Sequence, residues 1–476
     1  MTDRIRRTKI IATLGPSCRR AGVLDQLVAA GVDVFRVNLS HATLTELDAW
    51  IAAVRTAAAA GKRTVGVLAD LQGPKLRIGE LADHKPVQLH TGDHVEITTR
   101  TIPGTATRLS TSYAALPRDV KKGDRILLED AAVELQVEVA LDDVVSCAVV
   151  HGGTIHEHAG INLPGVAVSS PALTQKDRVD LAHAVQSGVD FIALSFVRRP
   201  ADVEEAKAAV AALKRDTPVI AKIEKPEAIE HLDKIIESSD AVMVARGDLG
   251  VEMPPERVPM LQKLIIKRAG ALLKPVITAT QMLESMVHAA RPTRAEASDI
   301  ANAIIDGTDA IMLSAETAAG EYPVESAQTM ARIALETEEF FPPRVRRKQR
   351  VESDSHAISH AACGVAESID VCCIAAFTKT GFSARIVSKD RPIVPIYAFV
   401  EDEAIGRRLT IDWGVQPAVI EMGRDTDSLI AHVEAELLKR KAVKRGDAVV
   451  IVGGTPMGVR GKTNFLKIIR AGANHT

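Results

Sequence analysis

The sequence predicts an α/β fold built on a (β/α)8 TIM barrel, and two observations support this. Short apolar runs rich in β-branched residues alternate with helical stretches rich in Ala, Leu and Glu, which is typical of a parallel sheet. Eight such runs occur, and eight strands close a barrel of this kind. The runs begin at Lys9, Val32, Thr64, Phe191, Pro218, Asp240, Pro275 and Ala310. An open doubly wound sheet is the competing architecture.

The alternation is interrupted between the third and fourth runs. Residues 71–164 contain alternating apolar and polar residues separated by Gly-Asp turns, as in VQLHTGDHVEITT. This period of two residues indicates an inserted antiparallel β-domain. Because the insertion follows the carboxyl end of a barrel strand, where barrel enzymes bind their substrates, we expect it to act as a lid.

A stretch rich in proline and charge, FFPPRVRRKQRVESDS, marks a further boundary near residue 340. After it, the apolar runs VCCIAAFT, RPIVPIYAFV and AVVIVGG indicate strands of a third, α/β domain. The predicted domains are therefore a catalytic barrel (1–70 and 165–340), an inserted β lid (71–164) and a C-terminal effector and assembly domain (341–476).

Composition excludes several classes of partner. Lys and Arg number 59 against 61 for Asp and Glu, so no overall basic field attracts nucleic acid or an acidic membrane. Aromatic residues are only 3% of the chain, which argues against binding of nucleic acid by base stacking. No apolar run has the length of a membrane span. The five cysteines form no ligand or disulfide pattern, so we expect a cytoplasmic protein.

Polar residues cluster at the predicted carboxyl ends of the barrel strands, where the active site of such a fold lies. They are Arg36, Asn38, Ser40, Asp70, Lys222, Glu224, Arg246, Asp248, Thr278, Thr280, Ser314 and Glu316. A single residue of this kind is often part of a structural ion pair. Their concentration at one end of the barrel favours a functional site.

Glu224 and Asp248, on adjacent strands, predict a Mg²⁺ site, because Mg²⁺ takes one or two carboxylates and leaves its other positions to water and substrate. Lys222 shares a strand face with Glu224 and places a cation beside the metal. Together with Arg36, these groups predict an anionic substrate whose charge develops on oxygen, as in enolate formation or phosphoryl transfer. The segment GDLG leads towards a helix expected near Pro254, whose amides suit a carboxylate or phosphate.

Eight segments resemble the signature segments of pyruvate kinases, in the same order. They are TKIIATLGPS, FRVNLSHA, DLQGPKLRIG, GINLPG, AKIEKPEAI, VMVARGDLGVE, ITATQMLESM and RPTRAEASDIANAIIDGTDAIMLSAETAAGEYP. The resemblance extends over essentially the whole chain. It implies the last step of glycolysis, in which phosphoenolpyruvate transfers its phosphoryl group to ADP, giving ATP and an enolate that is protonated to pyruvate.

By position, the resemblance implies that Lys222 neutralises the migrating phosphoryl group and the enolate oxygen. It implies that Arg36 contacts the phosphoryl group and that Thr280 lies near the carbon that is protonated. Glu224 and Asp248 match the ligands of a substrate-side Mg²⁺, for which Mn²⁺ can substitute, and a second Mg²⁺ is expected with ADP. The remaining residues that match the substrate-binding segment are Arg246, Gly247 and Asp248.

The resemblance also implies a monovalent-cation site at Asn38, Ser40, Asp70 and the Leu71 carbonyl. Pyruvate kinases that require K⁺ have Thr, Lys, Glu and Thr at the positions of Leu71, Gln72, Lys75 and Ile78. This chain instead resembles the K⁺-independent bacterial branch, which implies that the Lys75 ammonium replaces K⁺. The nucleotide side matches Asn38, Ser40, His41 and Arg77.

Two features remain open within this resemblance. Family members usually have a lysine at the position of Ala159, which leaves the nucleotide contacts of the lid undecided. The loop FTKTGFSAR resembles one that binds phosphorylated effectors, and it offers Thr378, Lys379, Thr380 and Ser383. The family suggests a homotetramer regulated by a sugar phosphate or a nucleoside monophosphate.

Other readings of the residues are also open. A Mg²⁺-dependent aldolase or lyase acting on a 2-oxo acid could use the same barrel and the same enolate chemistry. A catalytically silent metabolite-binding protein is the second alternative, although Lys222, Glu224 and Asp248 are all retained. The proton donor to the enolate is Thr280 or a water, with Ser314 and Glu316 as candidates for a relay.

Overall fold

The computed structural model of the protein describes residues 5–342, 353–421, 423, 425–455 and 462–473. The first part of the chain forms β1 (Lys9–Thr13), α1 (Val23–Ala29), β2 (Val34–Asn38), α2 (Leu44–Ala60) and β3 (Gly66–Asp70). The inserted segment forms β4 (Val87–Leu89), β5 (His94–Thr98), β6 (Arg108–Ser110), α3 (Leu116–Asp119), β7 (Arg125–Leu128), β8 (Val133–Leu141), β9 (Val144–His151), β10 (Gly153–Ile155) and β11 (Ile161–Asn162).

The chain then continues with α4 (Gln175–Gln186), β12 (Phe191–Leu194), α5 (Pro200–Ala212), β13 (Val219–Ile223), α6 (Pro226–Glu230), α7 (Leu232–Ser238), β14 (Ala241–Ala245), α8 (Arg246–Glu252), α9 (Val258–Ala271), β15 (Val276–Ala279), α10 (Arg294–Asp306), β16 (Ala310–Leu313), α11 (Ala315–Ala318) and α12 (Pro323–Phe340). The last part forms α13 (Asp354–Ser368), β17 (Val371–Phe377), α14 (Phe382–Lys389), β18 (Ile396–Val400), α15 (Glu403–Arg408), β19 (Val415–Val419), α16 (Thr426–Lys439), β20 (Ala448–Gly453) and β21 (Phe465–Arg470).

Eight strands close into a parallel barrel in the order β1-β16-β15-β14-β13-β12-β3-β2. Each of the eight predicted runs supplies one of these strands, so the predicted barrel is confirmed and the open sheet is wrong. Side chains two residues apart share a strand face, and the inward faces form one apolar cluster that includes Leu68, Ile220 and Met243. Ile411, from the C-terminal part of the chain, belongs to the same cluster.

The inserted segment forms a six-stranded sheet of order β11-β7-β8-β9-β5-β6 and a two-stranded sheet of β10 and β4. Its strands pair antiparallel, as predicted, except that β5 and β6 are parallel. The segment has a hydrophobic core of its own, which includes Ile97, Leu109 and Val137. An additional β-domain is therefore confirmed.

The C-terminal part contains a five-stranded sheet of order β19-β18-β17-β20-β21, in which β21 is antiparallel to β20. The three predicted runs form β17, β18 and β20, whereas β19 and β21 were not predicted. The basic part of the predicted boundary, including Arg344 and Arg346, lies outside the described residues. The numerical domain limits at residues 70, 164 and 340 stay predictions. Within the described ranges, no helix combines the length and apolar character that a bilayer crossing requires.

An aspartate precedes every second strand at the amino end of the barrel. These residues are Asp33, Asp190, Asp240 and Asp309, and each carboxylate accepts a backbone amide of a neighbouring strand at 2.8–2.9 Å. Asp190 pairs with Arg407, and Asp309 pairs with Lys389 and Arg391. Because these three cations belong to the C-terminal part, the aspartates join it to the base of the barrel.

Candidate active site

A cluster of buried charges lies at the carboxyl ends of β2, β3 and β13. Lys222 Nζ lies 3.2 Å from Glu224 Oε2 and 3.6 Å from Asp70 Oδ1. Arg36 Nε donates a hydrogen bond of 2.7 Å to Asp70 Oδ2. The strand register explains the convergence, because Asp70 and Lys222 follow the inward-facing Leu68 and Ile220 by two residues on their strands.

The charges in this cluster support one another. Burial acts to lower the pKa of Lys222, but the negative charges of Asp70, Glu224 and Asp248 outweigh it and hold this pKa above the usual lysine value. Burial acts to raise the pKa of Asp70, but the positive charges of Lys222 and Arg36 hold it below the usual range. Lys222 is therefore an ammonium and Asp70 a carboxylate near neutral pH.

Within this cluster, the negative charge of Glu224 is the least compensated by nearby positive charges. Burial and the negative charge of Asp248 raise its pKa to about 7, despite the nearby Lys222. Its Oε1 accepts the amide of Phe196 at 2.5 Å, whereas its Oε2 is buried without a hydrogen-bond partner among the described residues. A buried carboxylate oxygen that lacks a hydrogen-bond donor suits a divalent cation, which would supply the missing positive charge.

Asp248, the second predicted metal ligand, is exposed at the start of α8. A short helix that was not predicted, α8, begins directly after β14 at Arg246. The predicted helix start near Pro254 is confirmed, because a 3-10 turn at Pro255–Arg257 runs directly into α9. The two carboxylates thus follow adjacent strands, one buried and one open to solvent, and as oxygen donors they suit Mg²⁺.

Arg246, which was predicted to bind substrate, makes hydrogen bonds to protein acceptors in this structure. Its buried guanidinium donates to the Thr280 carbonyl at 2.6 Å, to the Gln281 carbonyl at 3.2 Å and to Asp299 at 2.6 Å. Thr280 and Gln281 both have positive φ, at 70° and 53°, which is costly for a β-branched residue such as threonine. Arg246 therefore holds the strained loop after β15 in place.

That loop brings a hydroxyl to the first turn of α8. Thr280 Oγ1 accepts the amide of Gly247 at 2.7 Å and donates to the Ala279 carbonyl at 2.6 Å. A side chain at Gly247 would meet Thr280, since a Cβ there would lie 3.4 Å from Thr280 Oγ1. The predicted residues Gly247 and Thr280 are therefore in direct contact.

Comparison with known proteins identifies the family. A family model for the pyruvate kinase barrel domain matches residues 5–327, and one for the pyruvate kinase alpha/beta domain matches residues 356–469. The pyruvate kinase of Mycobacterium tuberculosis is 44% identical to this chain over 467 residues, which cover 98% of this chain and 99% of that protein. The chain belongs to the pyruvate kinase family.

Further relatives agree with this assignment. Pyruvate kinase 2 of Synechocystis is 46% identical over 471 residues, covering 97% of this chain and 79% of that protein. A crystal structure of a pyruvate kinase from Cryptosporidium parvum has a TM-score of 0.92 at 35% identity, covering 98% of this chain and 96% of that one. Neither the aldolase or lyase nor the silent binding protein is supported.

Lys75 contacts one of the four positions that match the family's monovalent-cation site. Lys75 Nζ donates to the Ser40 carbonyl at 3.0 Å, and Asn38 Oδ1 accepts the Ser40 amide at 3.1 Å. Burial lowers the pKa of Lys75, and the positive charges of Arg77 and Lys176 lower it further. The Lys75 ammonium thus lies against the backbone of one predicted cation ligand.

The predicted nucleotide side is at the edge between β2 and the inserted segment. Arg77 donates to the His158 carbonyl at 3.0 Å, and burial together with Lys75, Arg77 and Arg36 lowers the pKa of His41. Ala159, at the position of the usual family lysine, is buried in the core of the inserted segment. Arg77 and His41 therefore lie in a common basic environment, to which position 159 adds no charge.

The predicted effector loop divides into two parts. Lys379 and Thr380 line a cavity of about 510 Å³ between the C-terminal part and the base of the barrel. Thr378 and Ser383 are buried, and Ser383 Oγ forms a hydrogen bond of 2.7 Å with Thr463 Oγ1. Two of the four residues thus line this cavity, and the other two are buried beside it in the chain.

The remaining polar residues at the strand ends bind mainly to protein. Thr278 Oγ1 donates to Thr308 Oγ1 at 2.9 Å. Glu316 accepts the amides of Leu283 and Ser314 at 3.0 and 2.6 Å, and burial raises its pKa. The Ser314 hydroxyl is buried and has no hydrogen-bond partner within the described ranges. Of the two relay candidates, Ser314 alone has an uncommitted polar group.

Sequence reasoning missed Ser195, which accepts a hydrogen bond of 2.8 Å from Lys222. The run FIALSFV reads as one continuous strand, but β12 ends at Leu194. Ser195 is the first residue after that strand. The rule that selected polar residues at the other strand ends would also have selected it.

Proposed function

We propose that the charged cluster at the barrel mouth carries out the pyruvate kinase reaction, the transfer of a phosphoryl group from phosphoenolpyruvate to ADP. The observation that supports this most directly is the buried Glu224 oxygen without a partner, 3.2 Å from the Lys222 ammonium. A site with a fixed cation and space for a metal suits a substrate that carries charge on several oxygens.

Lys222 neutralises the migrating phosphoryl group and then the enolate oxygen. Because its pKa is raised by three carboxylates, it keeps its proton while charge develops on the substrate. Arg36, on the other side of Asp70 from Lys222, contacts the phosphoryl group as well. Its Nε and Nη1 are held by Asp70 and Thr13, which fixes the plane of the guanidinium.

Glu224 and Asp248 hold Mg²⁺, or Mn²⁺ in its place. When bound, this metal supplies positive charge to the substrate oxygens and helps to orient them. The amides of Gly247 and Asp248 bind the substrate carboxylate. Thr280 releases the Gly247 amide for this purpose, and its hydroxyl then lies next to the carbon that receives the proton.

ADP binds on the side of Asn38, Ser40, His41 and Arg77, and it brings a second Mg²⁺. The inserted segment acts as a lid that excludes water from the phosphoryl group. We further propose a cytoplasmic location, with which the five free cysteines agree. The homotetramer that the resemblance to the family implies is part of the same proposal. A phosphorylated effector binds at the loop containing Thr378, Lys379, Thr380 and Ser383.

The test of the reaction is pyruvate formation from phosphoenolpyruvate, with ADP and Mg²⁺ each omitted in turn. Pyruvate should appear only when both are present, and Glu224→Gln should need far more Mg²⁺ for the same rate. Pyruvate release without ADP would contradict a phosphoryl transfer to the nucleotide. Glu157→Gln, on the inserted segment, is the matched control and should leave the Mg²⁺ requirement unchanged.

We also propose that the enzyme needs no K⁺, because Lys75 takes its place. The 3.0 Å contact between Lys75 Nζ and the Ser40 carbonyl supports this, since a charge-assisted hydrogen bond can replace metal coordination. Full activity is expected in a K⁺-free buffer balanced with tetramethylammonium.

Lys75→Glu should lower activity in that buffer and create stimulation by K⁺. Lys85→Glu makes the same charge change at an exposed position of the inserted segment and should do neither. Stimulation of the unmodified enzyme by about tenfold or more, roughly the effect of losing one charge-assisted contact, would contradict the proposal.

A further inference from the structure

The two residues after β12 contact both of the proposed catalytic groups on β13. Ser195 Oγ lies 2.8 Å from Lys222 Nζ, and the Phe196 amide donates to Glu224 Oε1 at 2.5 Å. Ser195 is 3% exposed, so water does not easily replace its hydroxyl as a partner. A single turn of backbone thus faces the lysine and the carboxylate at once.

The direction of the hydrogen bonds at Ser195 is determined by its neighbours. Its Oγ lies 2.8 Å from the carbonyl oxygen of Leu71, which can only accept. The single hydroxyl proton of Ser195 therefore points to Leu71, and an oxygen lone pair faces Lys222. Lys222, which can only donate, satisfies this lone pair.

Within the described residues, the Lys222 ammonium has one hydrogen-bond acceptor and two ion-pair partners. They are Ser195 Oγ at 2.8 Å, Glu224 Oε2 at 3.2 Å and Asp70 Oδ1 at 3.6 Å. The neutral hydroxyl is the nearest acceptor, while both carboxylates are farther away. Ser195 therefore makes the shortest polar contact of the ammonium and anchors it beside the two carboxylates.

The backbone around Ser195 leaves little room for movement. Phe196 has a φ of 59°, and its ring centre lies 4.4 Å from the ammonium of Lys225. Across the turn, Gly73 has a φ of 68°, and a Cβ there would lie 3.1 Å from both Ser195 Cβ and Phe196 Cδ2. Ser195 is therefore fixed by packing as well as by its hydrogen bonds.

We propose that Ser195 is a positioning residue that sets the location of the Lys222 ammonium for catalysis. Leu71, the first residue after β3, orients the Ser195 hydroxyl and so links Lys222 to the start of the inserted segment. This inference rests on the proposed role of Lys222, and Ser195 itself need not touch the substrate.

The first experiment compares Ser195→Ala with Ser239→Ala. Ser239 is also fully buried, but it lies at the amino end of the barrel and donates to the Ile235 carbonyl at 2.8 Å. Ser195→Ala should lower kcat about tenfold or more, with a smaller change in KM for phosphoenolpyruvate, because it affects a group that acts in the transition state. Both variants lose a buried hydroxyl, so Ser239→Ala should lower the unfolding temperature about as much as Ser195→Ala does. Ser239→Ala should nevertheless leave kcat unchanged.

The second experiment introduces Ser195→Ala into Lys222→Met. If Ser195 acts through Lys222, the residual rate of Lys222→Met should not fall further, whereas independent effects would multiply. Multiplying effects, or a kcat of Ser195→Ala equal to that of the unmodified enzyme, would overturn the inference. A normal rate in Lys222→Met would instead overturn the proposed role of the lysine. Ser195→Cys, which preserves the shape of the side chain, should reproduce the loss of kcat if the alanine variant is poorly folded.

Discussion

The two ends of the barrel both bury charged residues, but they compensate them differently. At the amino end, Asp309 accepts a backbone amide and pairs with two cations, Lys389 and Arg391. At the carboxyl end, Glu224 shares the single ammonium of Lys222 with Asp70. Protein groups thus compensate both oxygens of the Asp309 carboxylate, whereas Oε2 of Glu224 has no hydrogen-bond partner among the described residues.

This difference shows up in the pKa values. Burial acts to raise both, yet the two cations hold the pKa of Asp309 below its usual range, whereas the pKa of Glu224 rises to about 7. Compensated buried charges fix the position of the chain, and uncompensated ones are available to ligands. The amino end thus serves the structure, and the carboxyl end keeps charge available for the proposed site.

The largest expected effect is at the amino end. Asp309→Ala leaves Lys389 and Arg391 buried without their carboxylate, and it should lower the apparent free energy of unfolding by about 3–5 kcal/mol. This loss of stability should become smaller in acid. The pKa of Asp309 is lowered in the folded state, so the ionised carboxylate stabilises the fold fully above the usual aspartate pKa. That stabilisation disappears as the pH falls through the folded-state pKa. Denaturant unfolding at several pH values measures it. Since the proposed site is at the other end of the barrel, kcat of the folded fraction should stay normal. A large fall in kcat would contradict a purely structural role for the amino end.

Lys222→Met should lower kcat by about 10²–10³-fold, as expected when a charge that stabilises the transition state is removed. Steady-state assays with saturating phosphoenolpyruvate, ADP and Mg²⁺ measure this. The control is Lys207→Met, the same replacement at the amino end, where Lys207 pairs with Asp240 at 2.8 Å. Equal losses in both variants would show that the two ends do not differ as argued.

The pH dependence of stability should have opposite signs at the two ends. Because the pKa of Glu224 is raised to about 7, the metal-free protein should lose stability as the pH rises from the usual glutamate range towards 7, by at most about 1.4 kcal/mol per pH unit. Glu224→Gln should remove this part of the slope, and Asp309→Asn should remove a part of opposite sign. Unfolding without divalent metal tests both, and an unchanged slope in Glu224→Gln would contradict the raised pKa.

The smallest effect is expected for Lys207→Met in an unfolding experiment. The side chains of Lys207 and Asp240 are 41% and 34% exposed, so solvent screens their attraction. The variant should lose less than about 1 kcal/mol of stability. A loss as large as that of Asp309→Ala would mean that burial does not set the strength of the four aspartate contacts.

The sequence was sufficient to predict the barrel, because each strand is an apolar run bounded by polar residues. It also identified Asp70, Lys222 and Glu224, since the end of a strand determines where their side chains meet. The roles of Arg246 and the start of α8 were not predictable in the same way. The acceptors of Arg246 lie more than thirty residues away along the chain, at Thr280 and Gln281, and glycine-containing GDLG has low helix propensity on its own.

The two strands missed in the C-terminal part have a similar explanation. β19 contains a proline, and β21 contains Lys467 and Arg470, so neither reads as an apolar run. Both lie at the edges of their sheet, where such residues are tolerated. Edge strands and long-range contacts were thus the parts that local patterns could not define.

Ile411 gives the barrel an unusual dependence on a later part of the chain. This side chain, only 3% exposed, belongs to the apolar cluster inside the barrel, although it is contributed by the C-terminal part. During synthesis on the ribosome, all eight barrel strands emerge before Ile411 does. The nascent barrel therefore lacks one side chain of its apolar cluster until the C-terminal part has been synthesised. A chain ended near residue 340 would leave the apolar surface that Ile411 covers exposed to solvent.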